Sequence, residues 1–265
     1  MADTVATDTK ATPKEEAQIT KTAPATKKAG AVASTTFSPE YDVHQLLEAG
    51  CHFGHQAKRW HPKMAPYIYA KKDGVHIFDL IITEKQLRLA ALKVYELAKA
   101  GKNIVFVGTK RQAKDIVREE AVQAGAMYIV NRWLGGFVTN WEQVSKSVRS
   151  MTQMKNDLKE GKYKHYTKME KLLIEKEVAR LERFFGGVAD LKTTPDALFV
   201  VDIGREKTAI LEANQAKIPV IAMVDSNDDP SNVDIVVPAN DDAARSIKLI
   251  VHTIAEAYKA GKAAR

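Results

Sequence analysis

The sequence has a single cysteine, Cys51, among 265 residues, and this scarcity excludes a fold held by internal disulfides. No segment approaches the roughly 20 apolar residues that span a bilayer, and the amino terminus has no apolar signal core. Neither the Walker phosphate loop nor the spaced glycines of a Rossmann loop occurs in the chain. We therefore expect a globular protein of the cytoplasm, with no membrane partner and no cofactor.

The first 37 residues are rich in Ala, Thr and Lys and hold few side chains that can bury surface. Such a composition does not offset the entropy of ordering, so residues 1–37 are predicted to form a disordered tail. A transit peptide is the alternative interpretation. Transit peptides are rich in Arg and poor in acids, whereas this segment has no Arg and carries four carboxylates.

The charge balance favours an anionic partner. The chain has 40 Lys and Arg residues against 33 Asp and Glu residues, a net charge of +7. An excess of this size favours anionic partners such as nucleic acid.

After the tail, apolar runs alternate with amphipathic segments. The run at 104–107 is β-branched and continuous, as expected for a strand buried on both faces. Similar runs occur at 127–130, 197–201, 220–224 and 235–237, and helical periodicity lies between them. This order predicts an α/β fold with five parallel strands in a three-layer α/β/α arrangement. A β-hairpin around Asp73 and Gly74, and a helix capped by Thr83, are predicted ahead of it.

One stretch interrupts this alternation. Two apolar stripes, from Val144 to Leu158 and from Ile174 to Phe185, predict two helices that fold back on each other as a coiled-coil hairpin. Between 145 and 185, 11 basic and 6 acidic residues give the hairpin a net charge of +5. The predicted organisation is therefore a tail (1–37), a sheet domain (38–143 and 187–265) and an inserted helical hairpin (144–186).

Basic and aromatic residues cluster in the loops of this predicted fold. Cations at such positions can neutralise phosphates while the chain recognises the shape of an RNA. His55 can donate to phosphate and Trp60 can stack on a base, whereas Trp133 is expected to pack. The predicted RNA-binding residues are Lys58, Arg59, Lys63, Lys71, Lys72, Lys110, Arg111, Arg132, His55 and Trp60.

These segments also offer residues for two other kinds of site. Cys51, His52, His55 and His61 offer zinc-ligand chemistry, but their spacing matches no regular finger, so no metal is predicted. Gly108-Thr109-Lys110 follows a buried strand, where doubly wound folds bind phosphates. A nucleotide-dependent enzyme would use that loop together with carboxylates at the predicted strand ends (Asp202, Asp225, Asp228 and Asp229), which turns and caps explain more simply. A free-standing adaptor would instead use the hairpin to capture a partner helix.

The loop residues also resemble a known family. The chain is similar, in order over about 41–260, to the bacterial-type small-subunit ribosomal protein family called S-two. The matching segments include Leu46-Leu47-Glu48-Ala49-Gly50, His52-Phe53-Gly54-His55, Phe106-Val107-Gly108-Thr109-Lys110, Arg132-Trp133-Leu134-Gly135-Gly136 and Asn240-Asp241-Asp242. Cys51 departs from the pattern, since a small apolar residue such as valine is expected there.

The resemblance implies a flavodoxin-like domain carrying a helical hairpin, with no catalytic activity. It implies a structural role in translation, with the protein lying between the head and body of the small subunit and holding ribosomal RNA. Its implied partners are that RNA and neighbouring small-subunit proteins, including the messenger-binding protein S-one, which it helps to dock.

Overall fold

The computed structural model describes residues 41–265, so the predicted tail (1–37) lies outside the described residues. The helices in this range are α1 (Val43–Glu48), α2 (Leu80–Lys99), α3 (Lys114–Ala124), α4 (Trp141–Glu160), α5 (Lys168–Phe185), α6 (Lys207–Gln215) and α7 (Ala244–Ala263). The strands are β1 (Phe53–Gln56), β2 (Ile68–Lys72), β3 (Val75–Phe78), β4 (Ile104–Val107), β5 (Met127–Ile129), β6 (Ala197–Val201), β7 (Val220–Val224) and β8 (Ile235–Pro238). None of these helices combines the length and apolar character needed to cross a lipid bilayer.

The main sheet has five parallel strands in the order β5-β4-β6-β7-β8. Counted along the chain, this order is 2-1-3-4-5, the flavodoxin-like arrangement. Every residue of β4, β6 and β7 is buried, because successive side chains enter cores on opposite faces of the sheet. Phe106 joins one core and its neighbour Val105 joins the other. The predicted three-layer α/β/α fold is confirmed.

The two cores belong to different sets of helices. Buried residues of α2, α3 and α7 form the core on one face, with Leu87 and Ile254 among its fully buried members. The core on the other face is covered by α6 and the ends of α4 and α5 nearest the sheet. Burial of each large apolar side chain contributes about 1.5–3 kcal/mol, so these layers hold the loops at the sheet edge in fixed positions.

A smaller antiparallel sheet lies at the carboxyl end of β7. The predicted hairpin between β2 and β3 is confirmed, and its turn residues Asp73 and Gly74 have φ values of 51° and 78°, as a type I′ turn requires. Strand β1 was not predicted, and it pairs with the other side of β3. The backbone N–H groups of His55 and His61 donate to Ser226, at 2.8 and 2.7 Å, and fix this sheet to the end of β7.

The start of α2 differs from the prediction. Asp79, four residues before the predicted cap, accepts a hydrogen bond from the Ile81 amide and begins the helix at Leu80. Thr83 lies inside the helix, fully buried, and its hydroxyl donates to the carbonyl of Pro238 at 2.7 Å. A threonine can cap a helix or donate a hydrogen bond from within it. Here the contact with Pro238 decides between the two positions, and the local sequence does not show that contact.

The predicted helical hairpin consists of α4 and α5. Val148, Met151, Val178 and Phe185, from the two predicted apolar stripes, are buried. Thr167 and Glu170 form a capping box that begins α5. The two helices span 141–185 rather than 144–186, and the division into domains stays a prediction.

A buried carboxylate holds the loop between β5 and α4. Glu212 of α6 accepts hydrogen bonds from the backbone N–H groups of Gly136 (2.8 Å) and Val138 (3.0 Å) and from the indole of Trp133 (3.2 Å). The Thr139 amide and hydroxyl also donate to it. Burial raises the pKa of Glu212, but the amide donors outweigh burial and hold it below its usual range. Trp133 is 6% exposed, which confirms that it packs.

We predict that Glu212→Gln lowers the free energy of unfolding by about 3 kcal/mol, because several donors lose a charged acceptor. Urea denaturation at pH 7 measures this change. Glu119→Gln, at an exposed carboxylate of α3, is the matched control and should change stability by less than about 0.5 kcal/mol. Equal stability of the two variants would contradict the role assigned to Glu212.

Candidate nucleic-acid interface

Four predicted cations project from the small sheet into solvent. Lys58 and Arg59 lie in the turn after β1, and Lys71 and Lys72 form the end of β2. All four are exposed. None of them forms an ion pair with a carboxylate within residues 41–265. Their charges are therefore available to an external polyanion.

Trp60 lies beside these cations. It is 37% exposed, and its ring centroid is 5.1 Å from that of His76. The ring is thus partly packed and partly open to solvent. This position permits the predicted stacking on a base, which stays a prediction.

Two other predicted residues of this segment face carboxylates. His55 Nδ1 lies 3.0 Å from Asp225 Oδ1, and its Nε2 lies 3.5 Å from Asp242 Oδ2. The hydrogen bond to Asp225, opposed by burial, raises the pKa of His55 to about 9. Lys63 Nζ lies 3.0 Å from Asp229 and 2.5 Å from the Ser231 hydroxyl. These contacts join both residues to the carboxyl ends of the parallel strands, and their contact with RNA stays a prediction.

Lys110 has the most enclosed position of the predicted cations. Its side chain is 11% exposed, and its Nζ lies 2.8 Å from Asp241, 2.7 Å from Asp242 and 3.4 Å from Asp202. Burial lowers the pKa of Lys110, but the hydrogen bonds to Asp241 and Asp242 outweigh burial and raise it. Lys110 thus links the ends of β4, β6 and β8, and its charge is already neutralised.

The phosphate position of a doubly wound fold is filled here by protein. The backbone N–H of Thr109 donates to Glu206 Oε1 at 3.2 Å, and the Thr109 hydroxyl donates to the same oxygen. Gly108 permits close packing, since a Cβ there would lie 2.8 Å from Val117. The amide that would donate to a nucleotide phosphate therefore already donates to the Glu206 carboxylate.

An acidic cluster surrounds Lys110 at the carboxyl ends of the parallel strands. Asp202, Asp225, Asp228 and Asp241 are all buried. Burial, together with Asp202 and Asp225, raises the pKa of Asp228 to about 6, and burial with Asp225 and Asp202 raises that of Asp241 to about 7. Asp202 and Asp229 also accept the predicted turn and cap hydrogen bonds, from the amides of Arg205 and Ser231. The cluster itself was not predicted, because its members follow three strands (β6, β7 and β8) that are far apart in the sequence.

The acidic cluster has oxygen donors that can hold a hard cation. Single oxygens of Asp202, Asp228 and Asp241 lie within 4.8 Å of one another, and carboxylate oxygens suit Mg²⁺ or Ca²⁺. The structure does not bring the alternative zinc set together. Cys51 is fully buried, and burial raises the pKa of its thiol to about 11.

The remaining predicted residues, Arg111 and Arg132, lie beyond the carboxyl ends of β4 and β5. Arg111 precedes α3 and Arg132 follows β5, the edge strand, and both are exposed. The structure therefore divides the predicted cations into solvent-facing residues at two places and residues paired with carboxylates. Sequence spacing does not distinguish these groups, since the partners of Lys110 lie 92 or more residues away along the chain.

The fold and these surfaces define an α/β protein with exposed cations, a surface of the kind that binds a polyanion. Residues 46–261 match the family model described as Ribosomal protein S2, and the chain belongs to that family. This confirms the resemblance seen in the sequence. Proteins of this family are structural constituents of the small ribosomal subunit, and the chain accordingly acts in translation as part of a ribonucleoprotein and binds ribosomal RNA.

We predict that Lys110→Met destabilises the fold by about 3 kcal/mol at pH 8, because buried carboxylates lose their counterion. The loss should be smaller at pH 5. Asp241 has a raised pKa in the folded state, so the folded chain takes up a proton below about pH 7 that the unfolded chain binds only near pH 4.

Urea unfolding at both pH values tests this prediction, with Lys93→Met at an exposed position of α2 as the control. An equal loss at pH 5 and pH 8, or none at either, would refute the assignment of Lys110 to the acidic cluster.

Proposed function

We propose that the chain is held in the small subunit chiefly by cations that have no carboxylate partner of their own. The observation that carries this proposal is the contrast between two sets of basic residues. Lys58, Arg59, Lys71 and Lys72 are solvent-facing, whereas Lys110 is enclosed by three carboxylates. A cation that is already neutralised releases no counterion from RNA, so the solvent-facing set supplies the affinity.

The proposed contacts follow the shape of RNA more than its sequence. Lys71 and Lys72 are consecutive residues of β2, and their side chains point to opposite faces of that strand. They are therefore suited to phosphates on separate backbone segments. Arg111 and Arg132 form a second proposed contact region, and the predicted contributions of His55, Lys63 and Lys110 are proposed to be structural.

Placement between the head and body of the subunit, and docking of protein S-one, belong to the same proposal and are supported by the family resemblance. We also propose that the chain has no catalytic activity. Support comes from the carboxylate that occupies the Thr109 amide, since this contact competes with a nucleotide phosphate.

Sedimentation tests the proposed function directly. In sucrose gradients of a lysate from the source cell, the chain should sediment with small subunits at low salt and leave them only at high salt. Its presence solely in the soluble fractions at low salt would contradict the proposal.

We predict that replacing Lys58, Arg59, Lys71 and Lys72 together by Ala weakens binding to small subunits depleted of this chain. The slope of log affinity against log salt concentration should become shallower by about 3 to 4, because four phosphate contacts are lost. The melting temperature should stay unchanged, since exposed cations contribute little to stability. A wild-type slope in the quadruple variant would show that these residues do not contact RNA.

A further inference from the structure

A cleft with an uncompensated positive charge lies between α3, the end of β5 and α5. Its volume is about 400 Å³, and its lining includes the cations Lys114, Arg118 and Arg183. None of these residues was among the predicted RNA-binding positions. Along the part of the chain that the structure describes, their side chains form no ion pair.

The only carboxylate in the lining is that of Glu182, and it is bound by Lys155 of α4. The acidic residues Asp115 and Glu119 of α3 do not line the cleft. Three cations therefore face one open volume, and within residues 41–265 the single carboxylate of its lining is paired with a different lysine.

The two cations on α3, Lys114 and Arg118, lie at positions that do not stabilise the helix. Lys114 is the first residue of α3, where the positive end of the helix dipole disfavours a cation. Arg118 follows one turn later on the same face, and like charges spaced i,i+4 repel each other. Arg183, in the last turn of α5, is favoured by the dipole of its own helix. Neither the helix dipole nor the spacing along α3 therefore accounts for the placement of Lys114 and Arg118.

The cleft is preformed by the fold. The side-chain amide of Asn131 donates to the carbonyl of Arg183 at 2.5 Å and ties the end of β5 to α5. Gly187 lies so close to β5 that a Cβ would meet the carbonyl oxygen of Tyr128 at 2.2 Å. These contacts fix the α5 wall to β5, and the α3 wall is held by its buried residues Val117 and Ala121. Binding therefore requires little reordering of the backbone, which favours affinity.

The preformed cleft and its three unpaired cations point to a ligand, and we infer that this cleft binds one segment of the ribosomal RNA backbone. Two guanidinium groups and one ammonium group suit consecutive phosphates, since guanidinium binds phosphate oxygens in pairs. Arg111 and Arg132 are exposed beside its two walls, before α3 and after Asn131, so the cleft extends the second proposed contact region. This inference rests on the proposed function and names a further surface for it.

The test compares two triple variants of the full chain, in binding to small subunits depleted of it over a series of salt concentrations. Replacement of Lys114, Arg118 and Arg183 by Ala should make the salt slope shallower by about 2 to 3. The control replaces Lys85, Lys93 and Lys248, which are exposed on α2 and α7, and should keep the wild-type slope. Circular dichroism verifies that both variants are folded.

A second measurement identifies the bound partner. Cys51 is fully buried, so an Arg118→Cys variant can carry an iron chelate at a single exposed thiol and generate hydroxyl radicals in the cleft. Cleavage of ribosomal RNA, together with the shallower slope, supports the inference. A shallower slope without cleavage would assign the cleft to an acidic protein segment and overturn it, as would a wild-type slope in the cleft variant. Failure of the wild-type chain itself to bind small subunits would instead refute the proposed function.

Discussion

The ion pairs of Lys110 are the interaction on which the arrangement of this surface depends. Its ammonium group lies within 3.4 Å of three carboxylates, which follow β6 and β8. Without that charge, buried acids from neighbouring strands would repel one another in a medium that screens them weakly. Lys110 therefore completes the carboxyl edge of the sheet, and the proposed RNA contacts are made by cations outside the acidic cluster.

This division of charge explains how a chain with a modest positive excess can bind a polyanion. The net charge of +7 understates the field at the interface, because carboxylates are concentrated around Lys110 while unpaired cations lie on the small sheet and beside β5. Two packed cores hold these regions rigidly, and Glu212 fixes the loop that contains Trp133. Affinity in such a design comes from many modest contacts that are already in place.

The sequence predicts the fold well because its signal is local. Runs such as 104–107 are apolar throughout, since both faces of the sheet are buried, and the stripes of α4 and α5 have clear helical spacing. It fails for β1, whose short Phe53–Gln56 segment is nowhere fully buried. It also fails to separate Lys110 from Lys58, because both are loop lysines and only folding brings Asp241 to one of them. Glu212 and the cleft cations were missed for the same reason.

The most direct test is a cryo-electron map of the small subunit that contains this chain. We predict RNA phosphate oxygens within about 4 Å of the side-chain nitrogens of Lys58, Arg59, Lys71 and Lys72, and carboxylates alone around Lys110. Phosphates bound at Lys110, with those four side chains directed into solvent, would contradict it.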